Sequence, residues 1–271
     1  MASDHILVSV IMPAHNAETY VGEAVRSVLE QTHRDLELII VDDGSTDRTA
    51  ELIDALTDPR VKVIHQRNRG TSNARNTALA VATGSMICFL DSDDVMPPDS
   101  IAARLRVFED DPGLSFVDGA VRFFDRSLRH MSRTHVPSFT GEPFPLLVRF
   151  DPACFFGNTW MIRREALGTA RFDESLTHVE DMLLYLIISP GKRYGFTTGP
   201  VLHYRVTGHS SMTRLEGLER SYHTVYRWMR DHPELVSRRQ LIGAKYRIDR
   251  MMSGAYWHAG RPWRAVAAWF K

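Results

Sequence analysis

The first hundred residues alternate in hydrophobic period, and that alternation narrows the fold more than any other feature of the chain. "ILVSVIM" (6–12), "LELIIV" (36–41), "VKVIH" (61–65) and "MICFL" (86–90) are short, β-rich apolar runs. Between the first two, Val21, Ala24, Val25, Val28 and Leu29 recur at the i, i+3, i+4, i+7, i+8 spacing of an amphipathic helix. A second helix carrying Leu52, Ile53 and Leu56 follows the N-cap candidates Ser45, Thr46 and Asp47. A third spans about 71–82, with Gly84 as its stop. Strands separated by helices make βαβ crossovers, so these segments predict a mainly parallel sheet covered on both faces.

After residue 113 the rhythm changes. "LSFVDGAVRFF" (114–124) and "ACFFGNTWMI" (153–162) read as longer strands, with a loop over 126–145 between them. A helix "EDMLLYLIIS" (180–189) and a strand "VLHYRV" (201–206) follow. From 214 the chain reads as helical to its end, with Tyr222, Val225, Tyr226 and Met229 on one face. The organisation expected is an α/β domain over 1–213 and a helical C-terminal extension over 214–271, without internal repeats.

Composition sets bounds on function. With 44% hydrophobic and 24% charged residues, the chain has the profile of a soluble globular protein. Its 33 basic and 33 acidic residues cancel, so no global field favours nucleic acid as a partner. The N-terminus lacks the pattern of a signal peptide, and no run approaches the roughly 20 apolar residues of a membrane span. A cytoplasmic protein is expected, at most peripheral at the inner face of a membrane. Cys88 and Cys154 sit in apolar runs and read as buried free thiols, a disulfide being the alternative. Near the C-terminus Trp257, Trp263 and Trp269 are interleaved with arginines. That pattern suits interfacial membrane contact, or helices packed on the catalytic domain or on a homodimer partner.

In open α/β sheets ligands sit beyond the carboxyl ends of the strands. Three polar clusters fall there: "PAHN" after the first strand, "DDGS" after the second and "DSDD" after the fourth. "DDGS" (42–45) alone is also an ordinary turn. "DSDD" (91–94) is more demanding, because Asp91, Asp93 and Asp94 are like charges that disfavour one another. Asp91 and Asp93 point the same way along a fraying strand, which suits a hard divalent cation, Mg²⁺ or Mn²⁺, with oxygen ligands. The bland reading is an acidic helix start before "PPDSIAARL", a task Asp99 performs better. "VED" (179–181) opens an apolar helix, either as simple capping or as a general base delivered to the same edge.

Together, "VSVIMPAHNAETYVGEAVRSVLEQTHRDLELIIVDDGSTDRT" and "NRGTSNARNTALAVATGSMICFLDSDD" resemble the nucleotide-sugar-binding half of the family 2 glycosyltransferases. "FDESLTHVEDMLLYLII" and "HYRVTGHSSMT" resemble that family's acceptor-side elements. The resemblance covers about residues 6–213 and implies a GT-A fold: a Rossmann-like, mainly parallel mixed sheet flanked by helices. It implies a nucleotide-sugar-binding half over 1–112 and an acceptor-side half over 113–213.

It also implies roles. Family members end the first strand in Pro-x-Tyr-Asn, whose aromatic packs on the base; here Pro13, Ala14, His15 and Asn16 stand there, and imidazole replaces phenol. Glu18 occupies a position whose carboxylate contacts the nucleotide, and Asp43, with Asp42 next, offers a carboxylate to a uracil-like base edge. Asn68 and Gly70 shape the loop before Arg75 and Asn76, which match a segment beside base and ribose. Within the DxD element, Asp93 is implied on the metal and Asp91 on ribose or metal. Ser92 and Asp94 lie towards the donor, with Asp94 a second ligand or sugar contact. His209 is a third metal ligand by this reading, or a plain loop histidine, and Arg205 a contact to diphosphate. Asp181 matches the catalytic carboxylate and Glu180 its neighbour.

The implied protein is an inverting, metal-dependent enzyme. It moves a sugar from a UDP-sugar donor to a saccharide or lipid-linked acceptor in cell-surface polysaccharide or glycan synthesis. Two other readings remain at this point. "CFLDSDDV" also fits the nucleophile strand of a haloacid-dehalogenase-type phosphatase, with Asp91 attacked by phosphate. A sugar-nucleotide-binding module without turnover is the third.

Overall fold

A computed structural model of the chain describes residues 6–155, 157–207 and 214–270. Eight strands form one sheet in the order β3-β2-β1-β4-β7-β5-β6, with β8 also paired to β5. The first half is the expected alternation: β1 (Val8–Ala14), α1 (Val21–Leu29), β2 (Leu36–Asp43), α2 (Thr49–Asp54), β3 (Val61–Gln66), α3 (Thr71–Val81) and β4 (Met86–Phe89). β1 pairs parallel with both β2 and β4, and β2 parallel with β3.

Side-chain alternation splits each central strand between two cores, as a sheet covered on both faces requires. Ile11, Ile39, Val41, Ile87 and Phe89 enter one cluster with α3 and α7. Val8, Val10, Met12, Leu38, Ile40 and Cys88 enter the other with α1 and α4. Cys88 and Cys154 therefore lie in different clusters, and both are free and buried.

α4 (Ser100–Asp110) leads to β5 (Leu114–Phe124), followed by β6 (Met131–His135), α5 (Phe144–Val148), β7 (Met161–Arg163), α6 (Arg164–Leu167), α7 (Glu180–Ile188) and β8 (Arg193–Arg205). Three expectations fail here. The loop over 126–145 contains β6, a hairpin partner of β5 whose exposed polar residues hide its strand character. "ACFFGNTWMI" is not one strand, because only Met161 onward joins the sheet. Its earlier part curls round Trp160, whose indole N–H donates to the Cys154 carbonyl at 3.0 Å and whose ring stacks on Tyr185 at 4.0 Å. β8 starts at Arg193 instead of 201, since register shifts against β5 let Gly195, Gly199 and Pro200 remain in the strand.

Beyond residue 214 come α8 (Leu215–Asp231), α9 (Arg238–His258) and α10 (Pro262–Ala267). Ser237 and Gln240 start α9 with a capping box. Val225 and Met229 of α8 are buried in the same cluster as α7, so this helix packs on the sheet's α3 face. Among the described residues, no helix is long and apolar enough to cross a membrane.

Candidate active site

Parallel register brings the polar clusters together. Ala14 lies opposite Asp42 on the β1–β2 ladder, so "PAHN" and "DDGS" leave the sheet side by side. On the other side, the Leu90 N–H donates to the Ile11 carbonyl at 3.0 Å, extending the β1–β4 pairing up to Asp91. Above these strand ends opens a cleft of about 900 Å³. Its wall includes Pro13, His15, Asn16, Asp43, Arg75, Asp91, Ser92, Asp93, Asp94, Glu180 and Asp181.

Arg75 supplies positive charge to the crowded carboxylates. Buried at 3% exposure on α3, it donates to Asp91 Oδ1 at 2.8 Å and to Glu180 Oε1 at 2.7 Å. Its guanidinium also lies 5.3 Å from the centre of the Phe172 ring. Burial alone would disfavour its charge, but Asp91 and Glu180 hold it firmly protonated. The DxD turn and the start of α7 thus share one cation.

Asp93 and Asp94 keep more of their mutual repulsion. Burial first, then Asp91, push the Asp93 carboxyl up to about 6. Asp94 is raised well above the usual carboxylate range by burial and by Asp93, although it accepts from the Arg205 backbone N–H at 2.7 Å. The Arg205 side chain braces this turn from behind. It donates to the Asp93 carbonyl at 2.7 Å, to Glu23 at 2.6 Å and to the Arg126 carbonyl at 2.5 Å, and lies over the Tyr20 ring. Those partners, not the cleft, hold the guanidinium that the sequence suggested for diphosphate.

Asp181 is pushed up to about 7, by burial and then by the Glu180 charge, with Arg75 opposing. One of its oxygens accepts from the Met182 N–H at 2.7 Å. The residue before the pair, Val179, has a left-handed backbone (φ 51°), costly for a β-branched side chain and characteristic of functional sites. It packs against the cluster formed by α8 and α9, and Tyr222 of α8 reaches the cleft wall.

On the nucleotide side, both Asp43 oxygens accept backbone N–H groups, from Arg69 at 2.8 Å and Gly70 at 2.7 Å, which folds the 67–70 loop over the strand end. The His15 Nδ1–H donates to the Asp43 carbonyl at 3.0 Å, and the Asn68 amide lies 3.2 Å from its Nε2. Gly44 (φ 70°) must be glycine, because a Cβ there would sit 2.7 Å from the Asn68 nitrogen.

Five predicted residues lie outside the cleft wall. Asp42 accepts from Ser45 N–H and His65, and Glu18 from Arg48 N–H. Asn76 clamps the Phe172 backbone through both amide atoms. Asn68 and Gly70 belong to the loop that Asp43 organises. His209 falls outside the described residues. Among the described residues no cluster of three His, Cys, Asp or Glu is arranged to hold a metal ion. The wall also carries residues the sequence did not single out for it: Arg126, Arg133, Phe123 and Tyr204 from the β5–β6–β8 end, and Asn158, His178 and Tyr222 near Asp181. Their only signal was membership of strands, loops or helix faces read as packing.

The sequence profile of Glycosyl transferase family 2 matches residues 9–170. The chain belongs to that family. It is 31% identical over 204 residues to an uncharacterized glycosyltransferase of Rickettsia felis, covering 74% of this chain and 33% of the relative. It is 34% identical over 187 residues to the chondroitin synthase of Escherichia coli, covering 68% of this chain and 26% of the synthase. The chain thus spans about a third or less of these relatives' length.

Solved structures agree on the fold. The S. aureus TarS 1–349 complex with UDP-GlcNAc superposes with TM-score 0.69 at 17% identity, covering 97% of this chain and 90% of that one. The Pyrobaculum calidifontis mannosyltransferase PcManGT, in complex with GDP-Man and Mn²⁺, gives TM-score 0.64 at 22% identity, covering 96% and 73%. The chain therefore carries the GT-A sheet of the family 2 glycosyltransferases. The family match removes the phosphatase reading, in which "CFLDSDDV" would open the domain instead of following three βα units.

Proposed function

We propose that this chain transfers a sugar from a nucleotide-sugar donor, a UDP-sugar, to a hydroxyl of a saccharide or lipid-linked acceptor, with inversion and dependence on a divalent metal, in cell-surface polysaccharide or glycan synthesis. The observation that carries the reading is the convergence of Asp91 and Asp93 with Glu180 and Asp181 on one cleft, bridged by Arg75. The UDP-GlcNAc bound by TarS and the GDP-Man and Mn²⁺ bound by PcManGT support the donor class. The catalytic unit is proposed to span 1–213, with 214–271 as its helical extension.

The two carboxylates suit a hard cation, which would offset the burial and the Asp91 charge that raise the Asp93 carboxyl. Asp93 and Asp91 would hold Mn²⁺ or Mg²⁺, with His209 as a further ligand candidate. When bound, the ion neutralises charge on the departing diphosphate. His15 and Pro13 flank the base, and Asp43 holds the loop that closes over it. Ser92 and Asp94 face the donor sugar.

Asp181 takes the proton from the acceptor hydroxyl as that oxygen attacks the anomeric carbon from the face opposite the leaving group. The new C–O bond forms as the bond to the β-phosphate oxygen breaks, and the nucleoside diphosphate departs with that electron pair. Burial and the Glu180 charge raise the Asp181 carboxyl above the ordinary carboxylate range, which makes it a stronger base for this task.

Incubation with a panel of UDP- and GDP-sugars and Mn²⁺, scored by nucleoside diphosphate release, tests the reading. Slow release from a UDP-sugar, abolished by chelation, is expected. Silence with every donor would instead favour a binding module without turnover.

A further inference from the structure

We propose that the outer face of α9 and α10 docks on an anionic lipid bilayer. In a chain whose 33 basic and 33 acidic residues cancel, the segment from Arg238 to Trp269 holds seven basic side chains and a single acid, Asp249. Asp249 is buried and bound by Lys245 at 2.7 Å, so it neutralises that lysine and leaves the α9 arginines uncompensated. Arg261 and Arg264 share Glu216. Among the described residues, no ion pair engages Arg238, Arg239, Arg247 or Arg250, all exposed.

Two of these arginines, Arg239 and Arg250, stand among apolar side chains. Arg239, Ile242, Tyr246, Arg250 and Trp257 share one face of α9 by helical spacing. Tyr246 meets Trp269, with ring centres 5.5 Å apart, and Trp257, Val266 and Trp269 line a groove of about 400 Å³. Trp257 is 65% exposed and Trp263 87%. Large indoles at that exposure cost free energy in water and are at home between headgroups and acyl chains.

The charge decides between occupants. A second copy would set two basic faces against each other, whereas acidic headgroups complement them. Nucleic acid would complement the charge too, but gains little from the exposed aliphatics Ile242 and Val266, which an acyl boundary would cover.

The test is flotation of the full chain with vesicles of phosphatidylglycerol and phosphatidylcholine, against vesicles of phosphatidylcholine alone. Binding to the acidic vesicles is expected, weakened by added salt and accompanied by a blue shift of tryptophan emission. Arg250→Gln should weaken it by about fivefold, and Trp257→Ala with Trp263→Ala should remove most of the shift, with the circular dichroism of both variants unchanged. Three outcomes overturn the proposal: equal partitioning onto both vesicle types, a dimer in sedimentation that the tryptophan variants dissolve, or tighter retention on a single-stranded oligonucleotide than on acidic vesicles. Because no step uses nucleotide release, failure here leaves the glycosyltransferase reading untouched.

Discussion

Arg75 lies 2.8 Å from Asp91, and its other terminal nitrogen lies 2.7 Å from Glu180, so one buried guanidinium ties the end of β4 to the start of α7. Lysine cannot span both carboxylates, because its ammonium is a point charge without a planar fork. Arg75→Lys and Arg75→Gln are expected to destabilise the fold by about 3 kcal/mol, as for a buried pair losing one member. The melting temperature should fall by roughly 5 °C. Thermal denaturation checks this; an unchanged midpoint for Arg75→Gln would show that Asp91 and Glu180 rehydrate freely.

Gly44 is tested by Gly44→Ala. The left-handed backbone and the backbone nitrogen 2.7 Å from the added Cβ leave it no relaxed position. A loss of at least about 1–2 kcal/mol in denaturant unfolding is expected, with weaker UDP binding as the Asp43-held loop shifts. Retained UDP affinity by calorimetry would separate the loop from the nucleotide site.

Much of this was legible in the sequence. Hydrophobic period alone placed β1 to β4 and α1 to α3, because each element buries one face on a shared sheet. The strand ends point to the edge where Asp43, Asp91 and Asp93 lie, and a helix start brings Asp181 to it. Two kinds of feature were hidden. β6 is exposed and polar, so its strand character comes from pairing with β5 and not from composition. Arg75 was placed beside the ribose by resemblance, whereas its two carboxylate partners lie 16 and 105 residues away in sequence, beyond any local pattern. The sequence of "DSDD" points to a metal for its positive charge, and Arg75 supplies part of that charge.

Asp118 gives a pH prediction that stands apart from the cleft. Burial pushes its carboxyl up to about 6, against donation from the Gly119 N–H at 2.7 Å and from Tyr194 at 3.3 Å. With the folded value above the unfolded one, the native state binds the extra proton, so this group's contribution is most favourable at low pH. That contribution falls as pH rises from about 4 to about 6 and stays low above. Asp118→Asn should remove the decline and leave the variant more stable than the parent at pH 8, by up to about 3 kcal/mol. Urea midpoints of both proteins across that range provide the check, and parallel curves would rule out the raised value.

Asp181 offers the most direct test of the account, through nucleoside diphosphate release from the preferred UDP-sugar with Mn²⁺. The parent's kcat/KM is expected to rise with pH through about 7 and then level, as a base raised to that value ionises. Asp181→Asn should lower kcat by about 10²–10⁴-fold while calorimetry shows UDP bound as tightly as in the parent. Full activity in Asp181→Asn, with the same pH profile, would contradict the assignment of the base and with it the reading of this cleft.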